Sequence, residues 1–326
     1  MEINMNIVRW DSPLPYTLAF NLFKKHFEEI NRSYWAFVPA SYTIQALAKK
    51  HLIDDNADPR DFFMVPDTED RRIAPTYNSW KTDFANYSNY SRLNFIMLLS
   101  SSFETYLRTV VSLSFESKPG VIINCKDAVD GATLLKKDIT YGNINDKSYR
   151  FNTVIVEICH GEWANRFCAF QKYFGKLPSE LLDLTKDLDE LRITRNNLGH
   201  YFGRQKDEYR APIDFEPQKV MRVSHGKILK YFKLVHSAAK MIDKYLHENI
   251  IGSYDIIKKY FSSLSNGEIL TDPYISDSDQ LRILMGSHNL TGVPKKYYDE
   301  LVTYCKTNYV KSETDCIFTR KKYVFN

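Results

Sequence analysis

The stretch "PSELLDLTKDLDELRITRNNLGHYFGR" (residues 178–204) decides how this chain is read. Leu181, Leu184, Leu188 and Leu191 recur at gaps of three and four, the mark of one apolar helix face. Pro178 suits the first turn, and the periodicity predicts a helix running to about residue 198. The next core position on that face falls at residue 195, followed by Leu198, yet residue 195 is an arginine. Burying an unpaired guanidinium costs several kcal/mol, so Arg195 calls for an anionic partner. On an unbroken helix His200 would point about 140° away from Arg195. Gly199 is a natural terminator, because glycine adopts the left-handed C′ conformation without strain. A helix that ends or kinks there would swing His200 back beside Arg195.

Working outward, the spacing of Phe20, Phe23, Phe27, Ile30 and Tyr34 predicts a helix over about 16–34. A shorter helix is expected after Ser41, a good N-cap, carrying Ile44 and Leu47. Residues 54–76 hold three prolines and many charges, and are read as a loop and domain boundary. A long helix is expected over 78–116, its main stripe being Phe95, Leu99, Phe103, Tyr106, Val110 and Leu113. A second stripe on it reads Met97, Ser101, Glu104, Arg108 and Val111, apolar at both ends and charged in the middle. Further helices are expected near 127–137, over 161–175, and over 224–249 with Ile228, Phe232, Val235, Ala239, Ile242 and Leu246 on one face. A polar loop over 203–222 precedes the last of these. Helical pieces follow at 253–264, 277–286 and 294–307, before a tail "CIFTRKKYVFN" suited to a short strand or extended chain. The expectation is a mostly α protein, with a bundle over 77–250 between an N-terminal segment (1–76) and a C-terminal, mainly helical extension (251–326).

Composition agrees with an ordinary folded chain. Of 326 residues 44% are hydrophobic and 26% charged, with only 12 Gly and 12 Pro, which favours helix. No run approaches the roughly 18 to 20 apolar residues that span a bilayer. The N-terminus lacks the basic and apolar regions of a secretory signal. The five cysteines are odd in number and never spaced C-x-x-C, so a reduced, cytoplasmic chain without a zinc site is expected. Cys159, His160 and Glu162 could touch a metal, but an isolated neighbouring pair reads as structural. A net charge of +4 neither demands nor excludes nucleic acid.

Arg195-Asn196-Asn197-Leu198-Gly199-His200 matches R-N-x-x-x-H, and so resembles the signature of the HEPN superfamily of helical-bundle ribonucleases and toxins. Glu104 and Arg108 in "SFETYLR" resemble the E-x-x-x-[K or R] pattern that many such proteins carry on an earlier helix, the two residues sharing a face at i, i+4. The resemblance covers about residues 80–250. It departs from one branch that has Tyr two residues after the His; here Phe202 stands there, with Tyr201 before it. The resemblance implies a metal-independent endoribonuclease without cofactor, acting on RNA as a toxin or anti-phage effector. It further implies a homodimer with the motif near the interface, and an antitoxin or regulatory partner.

The residue types suit that chemistry. The 2′-hydroxyl must lose a proton as it attacks the adjacent phosphate, and donors must stabilise the charge gathering on phosphorus. Histidine, with an ordinary pKa of about 6.5, suits the first task. Arginine presents a fork that matches phosphate and keeps its proton. Glu104 would orient Arg195 or His200, Asn196 would hold substrate or cap the helix, and Arg108 and Tyr201 would support. The plainer reading gives Arg195 a packing salt bridge to a buried carboxylate such as Glu104, and leaves His200 at a helix C-terminus. A non-catalytic module that dimerises and binds RNA, a nucleotide or a partner protein is the rival function. Lys227, Lys230, Lys233, Lys240 and Lys244 read as a solvated face, and His225, His236 and His247 as packing or surface residues.

Overall fold

The computed structural model describes residues 7–63, 69–123, 130–132, 150–201, 203, 220–270, 272, 274–287 and 292–308. The described residues form helices and no strand. The helix expected near 127–137 falls largely outside them, as do most of the 203–222 loop and the whole of the 316–326 tail.

Helix α1 spans Leu18–His51, with Thr17 as N-cap accepting from the Phe20 amide. It corrects the expected break before Ser41: the helix runs straight through Pro39. Proline removes one helical hydrogen bond, that to the Trp35 carbonyl, and Trp35 is exposed, so that carbonyl is open to solvent and the loss is cheap. Helix α2, Tyr77–Ser117, is 41 residues long, about 60 Å of continuous helix. It is capped by Thr76, whose hydroxyl accepts from the Ser79 amide.

Next come α3 (Arg150–Cys159) and α4 (Trp163–Phe174), the latter stopped by Gly175 at φ 98°. The leucine-striped stretch is two helices rather than one, α5 (Ser179–Leu182) and α6 (Thr185–Tyr201). The Thr185 hydroxyl donates to the Leu182 carbonyl at the junction, 2.5 Å. Helix α7 spans His225–Leu246 behind an N-cap at Ser224, then widens into a π turn over His247–Ile251. Helices α8 (Tyr254–Ser265), α9 (Asp277–Ser287) and α10 (Lys295–Asn308) complete the described chain. None of the described helices is long and apolar enough to cross a membrane.

Helix α2 is the hub, packing against α1, α3, α6 and α7. One hydrophobic core runs through all three segments distinguished in the sequence, joining Phe20, Phe103, Phe170, Leu188, Ile242 and Leu301. A satellite core of Ala48, Leu52 and Tyr77, with Phe62, Phe63 and Trp80 against it, closes the far end of the α1–α2 hairpin.

A sealed polar network fastens residues 9–18 to α7 and α8. Asp243 accepts from the Thr17 amide (3.0 Å), the Thr17 hydroxyl (2.5 Å) and the Tyr106 hydroxyl (3.2 Å). Asp255 accepts from the Leu18 amide at 2.8 Å, so two carboxylates face the donor end of α1, where the helix dipole favours negative charge. His247 reaches the Leu14 carbonyl through Nε2 at 2.9 Å. Buried Arg9 donates to the carbonyls of Ile251 and Ser117 and pairs with Asp130 at 2.8 Å. Burial pushes the Asp243 carboxyl up to about 6 against the pull of the Thr17 hydrogen bonds, and raises Asp255 likewise.

Candidate active site

Glu104 sits on α2, and the Arg195 guanidinium meets it from α6 across 91 residues of sequence, Nη2 donating to Oε2 at 2.9 Å. The other terminal nitrogen donates to Asn196 Oδ1 at 3.1 Å, so Asn196 steadies its neighbour. Arg195 Nε is enclosed and meets no hydrogen-bond partner among the described residues. The two side chains keep 30% and 33% of their surface, which places the pair at the rim of the bundle. The core position expected at 195 belongs to Thr194 instead: it is buried beside Leu188 and Leu191, with its hydroxyl 3.3 Å from that of Tyr231. Arg195 thus flanks the apolar stripe. A long cation at that edge reaches its carboxylate without full desolvation.

The expected break at Gly199 does not occur. Helix α6 continues through Gly199 and His200 to Tyr201, and the positive-φ glycine is Gly203, at 76°. The Gly203 amide donates to the Asn197 carbonyl at 2.9 Å. Gly199 faces α2, where an added Cβ would stand 3.7 Å from Met97 Cε. On this unbroken helix Arg195 and His200 diverge by about 140° and stand about 7.5 Å apart along the axis. Arg195 turns to Glu104, while His200 is exposed with the Tyr201 ring 6.3 Å away. One chain therefore does not gather the two motif residues by kinking.

Arg108, one turn beyond Glu104, donates to Asn152 Oδ1 at 3.0 Å and so ties α2 to α3. Two further arginines belong to the same neighbourhood and went unread in the sequence. Arg192, one turn before Arg195, pairs with Asp189 at 2.7 Å, and Asp189 also accepts from the Trp163 amide at the start of α4. Arg166 is buried on α4, lies 4.6 Å from the Trp163 ring centre and donates through Nε to the Gly161 carbonyl. Burial depresses its pKa, opposed by the negative charge of Glu104. The signal was present: Arg166 stands among Trp163, Phe167 and Phe170 at helical spacing, an arginine on an apolar face. Arg195 and Arg192 thus pair with Glu104 and Asp189, with buried Arg166 and the Asn152-bound Arg108 close by, an arginine-rich cluster that suits an anion.

Cys159 is buried and its thiol is pushed up to about 12, chiefly by that burial, so it stays protonated; His160 beside it is exposed. Two histidines of α7 pack. His225 Nδ1 lies 2.6 Å from the Tyr34 hydroxyl, and His236 sits against Phe20 and Phe27. Lys227 and Lys230 pair with Glu190 and Asp187 across the α6–α7 face. No protein-family model, curated protein or solved structure matches this chain.

Proposed function

We propose that the protein is a metal-independent endoribonuclease of HEPN type, working in the cytoplasm as a toxin or anti-phage effector. The observation that carries the reading is the Glu104–Arg195 ion pair. It joins the E-x-x-x-R of one helix to the R-N-x-x-x-H of another. In this reaction the exposed His200 takes the 2′-hydroxyl proton as that oxygen bonds to phosphorus, the bond from phosphorus to the 5′-oxygen breaks and the leaving oxygen takes a proton, and Arg195, oriented by Glu104 and Asn196, stabilises the charge on phosphorus. Because the two diverge on one helix, the working site is composed from two copies of the chain about a two-fold axis, Arg195 of one beside His200 of the other. The role as toxin or effector, and any antitoxin that restrains it, rest on the resemblance alone.

The divergence of Arg195 and His200 also favours a second reading for a monomeric protein, a module that binds RNA without cutting it. Incubation of purified protein with total RNA in EDTA separates the two. The nuclease yields products ending in a 2′,3′-cyclic phosphate or its hydrolysis product, with EDTA harmless; strict dependence on a divalent ion sinks the mechanism. Mixing inactive Arg195→Ala chains with inactive His200→Ala chains restores cleavage if the site is shared between subunits. A fully active strict monomer rules the shared site out.

A further inference from the structure

Away from that rim, the outer half of the α1–α2 hairpin carries a groove of about 390 Å³. Tyr42 and Lys49 line it from α1, seven residues apart and so on one face, and Tyr77, Trp80, Lys81 and Phe84 line it from α2. Tyr77, Trp80 and Phe84 stack in sequence, ring centres 6.0 and 5.1 Å apart with planes within 25°. Opposite them Tyr42 is 63% exposed. The lining holds two amines and, among the described residues, no carboxylate; Asp55 pairs with Lys81 from outside it, 2.6 Å away. Exposed rings continue from the groove, Tyr87 at 56% and Tyr90 at 42%, towards Met97, which faces Gly199 beside His200. From Trp80 to Met97 is about 25 Å along α2, with a drift of about 100° round it.

We propose that this groove binds unpaired bases of a single-stranded RNA, one base entering between Tyr42 and the Trp80–Phe84 stack while Lys49 meets its phosphate. Every base offers a π-face, so stacked rings flanked by cations hold single strands with little regard for sequence. Lys49, which no described carboxylate pairs, gives the groove a free cation that matches a polyanion, while Lys81 is already held by Asp55. The run of exposed rings that leaves the groove towards His200 favours a strand over a free nucleotide. A duplex, whose bases are stacked on each other, presents no face to Tyr42. The inference takes the RNA of the proposed reaction as its occupant and rests on that reading.

The test uses full-length Arg195→Ala protein, which leaves the probe uncut, and the fluorescence anisotropy of a short, labelled single-stranded RNA. Tyr42→Ala should weaken binding about tenfold, the loss of one stacked base. Tyr42→Phe should leave it unchanged, and Lys49→Ala should weaken it and flatten its salt dependence. Unlabelled duplex RNA should compete poorly. Tyr42 is exposed, so its variants keep the fold, which circular dichroism checks. The proposal is overturned if no single-stranded RNA binds, if Tyr42→Ala is silent, or if uridine monophosphate competes as well as the strand. It is overturned too if Tyr42→Ala alters only the oligomeric state, which would make the groove a protein interface. Cleavage of total RNA by the unaltered protein is read separately. RNA cut while Tyr42→Ala is silent removes the groove and keeps the nuclease; Tyr42-dependent binding with nothing cut removes the nuclease and keeps the groove.

Discussion

Two regions of this molecule hold arginine and carboxylate together, and they do so differently. Around Thr17, Asp243, Asp255, His247 and Arg9 the charges are sealed inside, and most carboxylate oxygens meet a donor from a fixed backbone or hydroxyl. Around Glu104 and Arg195 the pair is about one third exposed, with arginines in excess. Each region leaves one guanidinium Nε without a partner among the described residues, on Arg9 and on Arg195. An orphan nitrogen alone therefore does not mark a site. Access does: the first region is closed and fastens the start of α1, and the second opens its ion pair to solvent.

That contrast breaks most readily at the catalytic residues. Replacing His200 or Arg195 with alanine should lower RNA cleavage by about 10² to 10⁴, the usual share of a general base or a charge-stabilising donor. Neither change should shift stability by more than about 1 kcal/mol, because half-exposed ion pairs contribute little. Cleavage rates and urea midpoints on the same preparations check both halves. If Arg195→Ala unfolds the protein, the rim is another structural lock and the comparison fails.

The opposite behaviour is expected of Arg9. Its guanidinium links residue 9 to Ile251, Ser117 and Asp130 at 1% side-chain exposure. Arg9→Ala should cost about 3–5 kcal/mol, since carbonyls and a carboxylate lose their buried donor. Cleavage per folded molecule should not change. A urea midpoint close to that of the unaltered protein would show that the segment is held by its apolar contacts, Leu14 and Phe20 among them.

Asp243 sharpens the contrast through pH. Its folded pKa of about 6 lies above its ordinary value of 3.8, so the folded state binds the proton more tightly than the unfolded one. Stability from this group therefore rises as pH falls from about 6 to about 4, and is lost as pH rises through the folded pKa. The span corresponds to an effect on the order of 3 kcal/mol. Asp58, Asp277 and Asp279, whose pKa values are lowered, act in the opposite sense at and below the ordinary carboxylate range, and His236, lowered by its burial, opposes Asp243 within the window itself, so the comparison is made against His236→Gln. Urea midpoints at pH 7.5 and 5.5 should rise towards the acid side, and Asp243→Asn should reduce the slope, Asp255, raised in the same way, keeping its own share. A midpoint that falls on acidification contradicts the sealed reading of Asp243.

The sequence made the helices legible and misplaced their ends. Periodicity located α2 and α7 to within a residue or a few, because both bury a full stripe against the hub. It failed at Ser41 and Gly199, where local propensity argued for a stop. In each case the residue lies in a helix already held by neighbours, and one weak position does not outweigh them. Arg195 was legible as an anomaly on an apolar face, and Arg166 would have been by the same rule. The network of Asp243 and Asp255 was not: its partners are backbone amides of Thr17 and Leu18, more than 220 residues away, which no side-chain pattern records.

The smallest expected effect settles the end of α6, on which the geometry of the rim depends. Were Gly199 a left-handed terminator, Gly199→Ala would strain the backbone and destabilise the protein by about 1 kcal/mol. Gly199 is instead helical, and an added Cβ would meet Met97 Cε at 3.7 Å, ordinary contact. Alanine there should therefore stabilise, by roughly 0.5–1 kcal/mol, through the lower entropy of the unfolded chain and its higher helix propensity. Gly203→Ala should do the reverse, since φ is 76° and a Cβ would come within 3.0 Å of Val220. The two glycines stand four residues apart with opposite signs, so thermal melts of the pair discriminate cleanly. If Gly199→Ala proves the destabilising one, the helix does end there. His200 then returns beside Arg195 within one chain, and the need for a second copy at the site disappears.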